Sequence, residues 1–119
     1  MGDQHDGDAD SSRAAALRAF PTALGWIDPN VTTAPRWDAA RVGRLARSLG
    51  YVLVWPPVAS VLPLVDQVRS ADVDVVITPS SDHLDAITLH ALMHVVDVET
   101  VCPRMSFARW AVASTGRPG

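Results

Sequence analysis

Short apolar runs alternate along this chain with stretches of helical period, and glycine, proline or small polar residues close each one. The clearest run is Val73-Asp74-Val75-Val76-Ile77-Thr78, which passes directly into Pro79-Ser80-Ser81-Asp82-His83-Leu84. An apolar stretch of this length, ended by a polar cluster and followed by helical periodicity, reads as a buried parallel strand opening into a loop and a helix. In open parallel sheets, ligands sit at such carboxyl ends.

The rest of the chain repeats this alternation. Ser11 or Ser12 can cap a short helix through about residue 19. Residues 24–27 predict a first strand, stopped by Asp28-Pro29-Asn30. A helix is expected over 36–49, with Val42, Leu45, Ala46 and Leu49 on one face and Gly50 as its C-terminal cap. Residues 51–55 predict a second strand, closed by Pro56-Pro57. Ser60 can cap a helix that packs through Val61, Leu64, Val65 and Val68. The third strand spans 73–78, and a third helix is expected over 82–96. Residues 99–102 predict a short edge strand, and Ser106 can cap a last helix over 107–113. Strands that alternate with helices and are apolar on both faces imply an α/β fold. The expectation is a three-layer sandwich around a mainly parallel sheet of about four strands, Rossmann-like in its alternation.

At 119 residues, 48% of them hydrophobic and 19% charged, the chain holds one core. The expected organisation is an acidic disordered leader over 1–12, a single domain over 13–114 and a flexible tail over 115–119. The leader carries Asp3, Asp6, Asp8 and Asp10 without the apolar segment of a signal peptide. No run approaches the ~20 apolar residues of a membrane span. Cys102 stands alone, which fits a reducing compartment and a cytoplasmic protein. All ten basic residues are arginine. The absence of lysine excludes Schiff-base chemistry and a phosphate-binding lysine, and the arginine bias is the kind a GC-rich genome gives. A net charge of −3 argues against a dedicated nucleic-acid binder.

Two motifs carry a resemblance. Gly25-Trp26-Ile27-Asp28-Pro29-Asn30 stands where a Gly-Tyr-x-Arg-x-Ser strand would open the fold, and Asp82-His83-Leu84-Asp85-Ala86 stands where Asp-Arg-Leu-x-Arg would follow a buried strand. With these motifs in this order, the chain resembles the N-terminal catalytic domain of the serine recombinases, the resolvase and invertase family, over residues 24–112. The resemblance implies a strand order 2-1-3-4. It also implies a catalytically dead, truncated relative. Asn30 stands at the position of the nucleophilic serine, Asp28 at that of an arginine, and His83 and Ala86 at those of two more arginines. Phosphoryl transfer has then lost both its nucleophile and the positive charge that stabilises its transition state.

Four constellations add candidate chemistry or contacts. Asp28, Asn30, Ser80, Ser81, Asp82, His83 and Arg104 are expected together above the sheet, as a small-ligand or anion site; Ser80 to Asp82 also suit a helix N-cap. Sequence neighbours such as Ser81-Asp82-His83 do not make a hydrolase triad. His90 and His94 have the i, i+4 spacing of a metal-binding pair, though as part of a stripe with His83 they also fit a half-exposed polar edge. Arg41, Arg44 and Arg47 recur along one helix flank, which fits a solvated face. Leu89 and Met93 fall off the apolar sector of the third helix, where they would form a subunit interface.

These features lead to a non-enzymatic, small cytoplasmic interaction or regulatory domain without a cofactor, whose partner is another protein or a second copy of the chain. The alternative is a small-molecule or anion-binding domain that uses the carboxyl ends of the parallel strands. A hydrolase-type enzyme is a third possibility. A pocket at the strand ends favours the alternative; an apolar surface without a pocket favours the first reading.

Overall fold

The computed structural model describes residues 20–57 and 60–110. The expected acidic leader, first helix and tail lie outside them. Val75–Thr78 forms β3, buried at every position, as its two-sided apolar character requires. Around it lies a sheet in the order β2-β1-β3-β4-β5. The other strands are β1 (Thr22–Gly25), β2 (Val52–Val54), β4 (Asp97–Thr100) and β5 (Met105–Phe107). The first four are parallel, with Ala23 opposite Val75, Leu24 opposite Val54 and Val76, and Val76 opposite Val98. The order 2-1-3-4 is therefore found. A fifth strand is added antiparallel to β4.

Three helices among the described residues cover the sheet: α1 (Pro35–Leu49), α2 (Leu64–Ala71) and α3 (Ala86–Leu92). Side chains alternate across each strand and so divide the core in two. Ala23, Val75 and Ile77 pack with Val42 and Ala46 of α1 on one face. Leu24, Val76 and Val98 pack with Leu64 and Val68 of α2 and Leu92 of α3 on the other. Each valine, leucine or isoleucine among them contributes roughly 1.5–3 kcal/mol when fully buried. The division follows from handedness. The chain steps one way from β1 to β2, then back over β1 to β3. Right-handed crossovers therefore place α1 on one face and α2 on the other, and α3, stepping onward to β4, joins α2.

Local chemistry sets the boundaries. Pro35 occupies the first turn of α1, and Gly50 ends it with φ 84°, a left-handed position that glycine adopts without cost. Asp72 ends α2 in the same region with φ 54°. The expected long third helix is broken. Its start is a 3-10 turn, Ser81–His83, and α3 begins only after Asp85. The true cap is Asp85, whose Oδ1 accepts from the Thr88 N–H at 2.7 Å; no side-chain cap is made by Ser80. The chain leaves the helix before residue 96, because Val96 and Val98 are needed in the core beside Leu92.

The last helix, expected over 107–113, is corrected within the described residues. Residues 105–107 form β5, and residues 108–110 have no regular structure. Arg104 stabilises this turn: its guanidinium pairs with Glu99 at 2.7 Å and also donates to the Met105 carbonyl. The Ser106 hydroxyl donates to the same Glu99 carboxylate. No helix among the described residues is long and apolar enough to cross a membrane.

Candidate functional site

The change of direction between β1 and β3 leaves a crevice at their carboxyl ends, since the connections from β1 and β3 depart to opposite faces. A cleft of about 980 Å³ opens there. Gly25 to Pro29 line it from the end of β1, Trp55 to Pro57 from the end of β2, and Asp82 to Asp85 from the turn after β3. Leu64 and Gln67 of α2 and Pro35 and Ala39 of α1 complete the wall. Its volume lies at the upper end of the range for small-molecule sites.

His83 ties these walls together. It is 6% exposed. Its Nδ1 accepts from the Asp28 backbone N–H at 2.9 Å, and its carbonyl accepts from the Trp26 indole Nε1 at 3.0 Å. The Trp26 carbonyl in turn accepts from the Thr78 hydroxyl at 2.8 Å. The ends of β1 and β3 are thus joined by side chain as well as by ladder. The Asp28 carboxylate accepts from the Asn30 N–H at 2.9 Å, closing a turn after β1.

Trp55 shapes the opposite wall. Its ring lies across the end of β1, and a Cβ on Gly25 would come within 2.5 Å of it. Glycine is required there for close approach. Gln67 is a second missed residue. It is 8% exposed, its Nε2 donates to the Leu62 carbonyl at 2.8 Å, and its Oε1 has no partner among the described residues.

Of the residues singled out from sequence, Asp28, Asp82 and His83 meet at the cleft. Asn30, Ser80, Ser81 and Arg104 do not line it. Asn30 is exposed beyond the turn, and Arg104 is engaged at the far edge of the sheet by Glu99. Among the described residues no arginine lines the cleft.

His90 and His94 instead flank Trp110. Each imidazole meets the indole edge to face with centroids 4.7 Å apart, and the Trp110 N–H donates to the Met93 carbonyl at 2.8 Å. No group of three metal-ligating side chains occurs among the described residues. Leu89 packs against the core rather than away from it, and Met93 caps the end of α3. For Leu89 the expected separation from the apolar sector is corrected; Met93 lies just past the short helix, which ends at Leu92.

Compared with models of known families, with curated proteins and with solved structures, the chain matches none.

Proposed function

We propose that this protein is a non-enzymatic binding domain that holds a small molecule at the carboxyl ends of β1, β2 and β3. The observation that supports this reading is the cleft of about 980 Å³ at the sheet's switch point. Its apolar walls carry a few convergent polar groups, the usual composition of a ligand site. His83 is committed through Nδ1 to a backbone N–H, so it serves the wall rather than a nucleophile. The test is a fragment screen read by amide and indole NMR shifts. Shifts clustered on Trp26, Asp28, Trp55 and His83 are expected. Shifts elsewhere, with these residues silent, would overturn the reading.

A second reading, a protein-contact domain, is favoured by Val61 at 95% exposure and Ile87 at 83%. Exposed apolar side chains of this size suit a partner surface. Sedimentation that depends on protein concentration would support a second copy as that partner.

The resemblance to the serine recombinase domain enters here as a proposal of descent with loss of chemistry. Asp28 and His83, at two of the family's arginine positions, are brought together, and no arginine among the described residues lines the cleft beside them. A supercoiled plasmid should gain no covalent protein adduct; an adduct would refute the loss.

A further inference from the structure

We infer that the cleft takes an organic cation: a primary or secondary ammonium group carried on a flat apolar body. The inference rests on reading the cleft as a ligand site. The acidic side chains on its wall are those of Asp28, Asp82 and Asp85, and among the described residues no arginine lines it; the chain has no lysine. The whole chain carries −3 at pH 7, so its field attracts cations.

The hydrogen-bond inventory points the same way. Two of the cleft's strongest donors are already used: the Trp26 indole on the His83 carbonyl and the Gln67 amide nitrogen on the Leu62 carbonyl. The second of these bonds fixes the orientation of the Gln67 amide. Its Oε1 is therefore an acceptor, buried in the wall and without a partner among the described residues. A buried acceptor of this kind, in a side chain of the cleft wall, calls for a donor. Asp28 and Asp85 each use Oδ1 on a backbone N–H, which leaves their second oxygens as further acceptors. Trp26 and Trp55 supply indole surface, to which ammonium groups are drawn. A cation on an aromatic or cyclic body meets each of these features; a carboxylate or phosphate satisfies none of the acceptors.

The experiment compares benzylammonium, benzyl alcohol and benzoate, which share a ring and differ in charge and donors. Binding is followed at the indole resonances of Trp26 and Trp55 and the side-chain amide of Gln67. Benzylammonium should bind on the order of tenfold more tightly than benzyl alcohol, the size of step that ~1.4 kcal/mol supplies. Benzoate should bind more weakly still. The double variant Asp28→Asn, Asp82→Asn keeps the side-chain acceptors and should melt as the parent does while losing the preference for the cation. Equal or tighter binding of the alcohol or benzoate would overturn the inference and leave the ligand site standing. So would a double variant that kept the preference. If none of the three probes moves these resonances, the ligand-site reading falls as well.

Discussion

The backbone N–H of Asp28 donates to Nδ1 of His83 at 2.9 Å, across a separation of 55 residues in sequence. An accepting Nδ1 fixes the neutral ring as the Nε2–H tautomer. His83→Ala leaves the half-buried Asp28 N–H without its partner and should lower stability by about 1–3 kcal/mol. His83→Asn places an amide oxygen near the same point and should recover most of that loss. Urea unfolding of the two variants checks the assignment; an alanine variant as stable as the parent would refute the clamp.

Gly25 and Trp55 form the other constraint on the cleft. A methyl group at Gly25 would sit 2.5–2.8 Å from three carbons of the Trp55 ring. Gly25→Ala should therefore displace Trp55, at about 1–3 kcal/mol for the overpacking. The tryptophan emission should change with it. A companion Gly25→Ala, Trp55→Ala variant removes the clash, so its further loss should be smaller than that of Trp55→Ala added to Gly25→Ala alone. Unchanged emission in the single variant would place Trp55 elsewhere.

Asp85 makes the start of α3 acid-sensitive. Hydrogen bonds from Thr88, first from its backbone N–H, hold the carboxyl below its ordinary value of 3.8. A depressed folded value stabilises the protein at pH above the unfolded value, and the contribution is lost as pH falls through the folded one. Asp85→Ala should thus melt several degrees below the parent at pH 7, with the gap closing in acid below pH 4. Asp85→Asn, which still caps but carries no charge, should recover only part of that loss at pH 7. A gap independent of pH would remove the charge from the explanation.

Tyr51 gives the opposite limb. Burial, then the carboxylates of Asp97, Glu99 and Asp74, raise its hydroxyl above the ordinary 10.0. Its contribution is complete below the unfolded value and is lost as pH rises through the folded one. The chain holds one tyrosine and no lysine, so an absorbance titration of the phenolate reads Tyr51 alone. The folded protein should titrate at higher pH than the urea-unfolded chain, and Tyr51→Phe should flatten the alkaline decline in stability. Coincident titration curves would contradict the packing around the ring.

The sheet was legible because its signals are local. Residues 73–78 are apolar on both faces, and Gly50 and Pro35 bracket α1 with side-chain-independent backbone rules. The region after β3 was less so. Its helical periodicity over 82–96 is real in composition, but Val96 and Val98 serve the core better as an approach to β4 than as further helix. The turn that makes β5 depends on Arg104 meeting Glu99, a pairing that no periodicity announces. In the cleft, Asp28, Asp82 and His83 were found from their position at strand ends. Gln67 had a signal that was passed over: a polar residue between Leu64 and Val68 on the buried face of α2. Trp55 needed the register, which sets it beside Gly25.

The two outer strands of the sheet, β2 and β5, are three residues each. Pro56 and Pro57 follow β2, and the ion pair of Arg104 with Glu99 precedes β5. A strand arriving from another molecule would find only a brief ladder at either margin before it met a residue without an N–H or a fixed charge. Apolar strands as continuous as Val75–Thr78 are the raw material of cross-β fibres, and here that material is confined to the interior positions of the sheet. Resistance to fibril growth is thus built into the lengths of the margins, and extending β2 by replacing Pro56 and Pro57 is where that resistance would first fail.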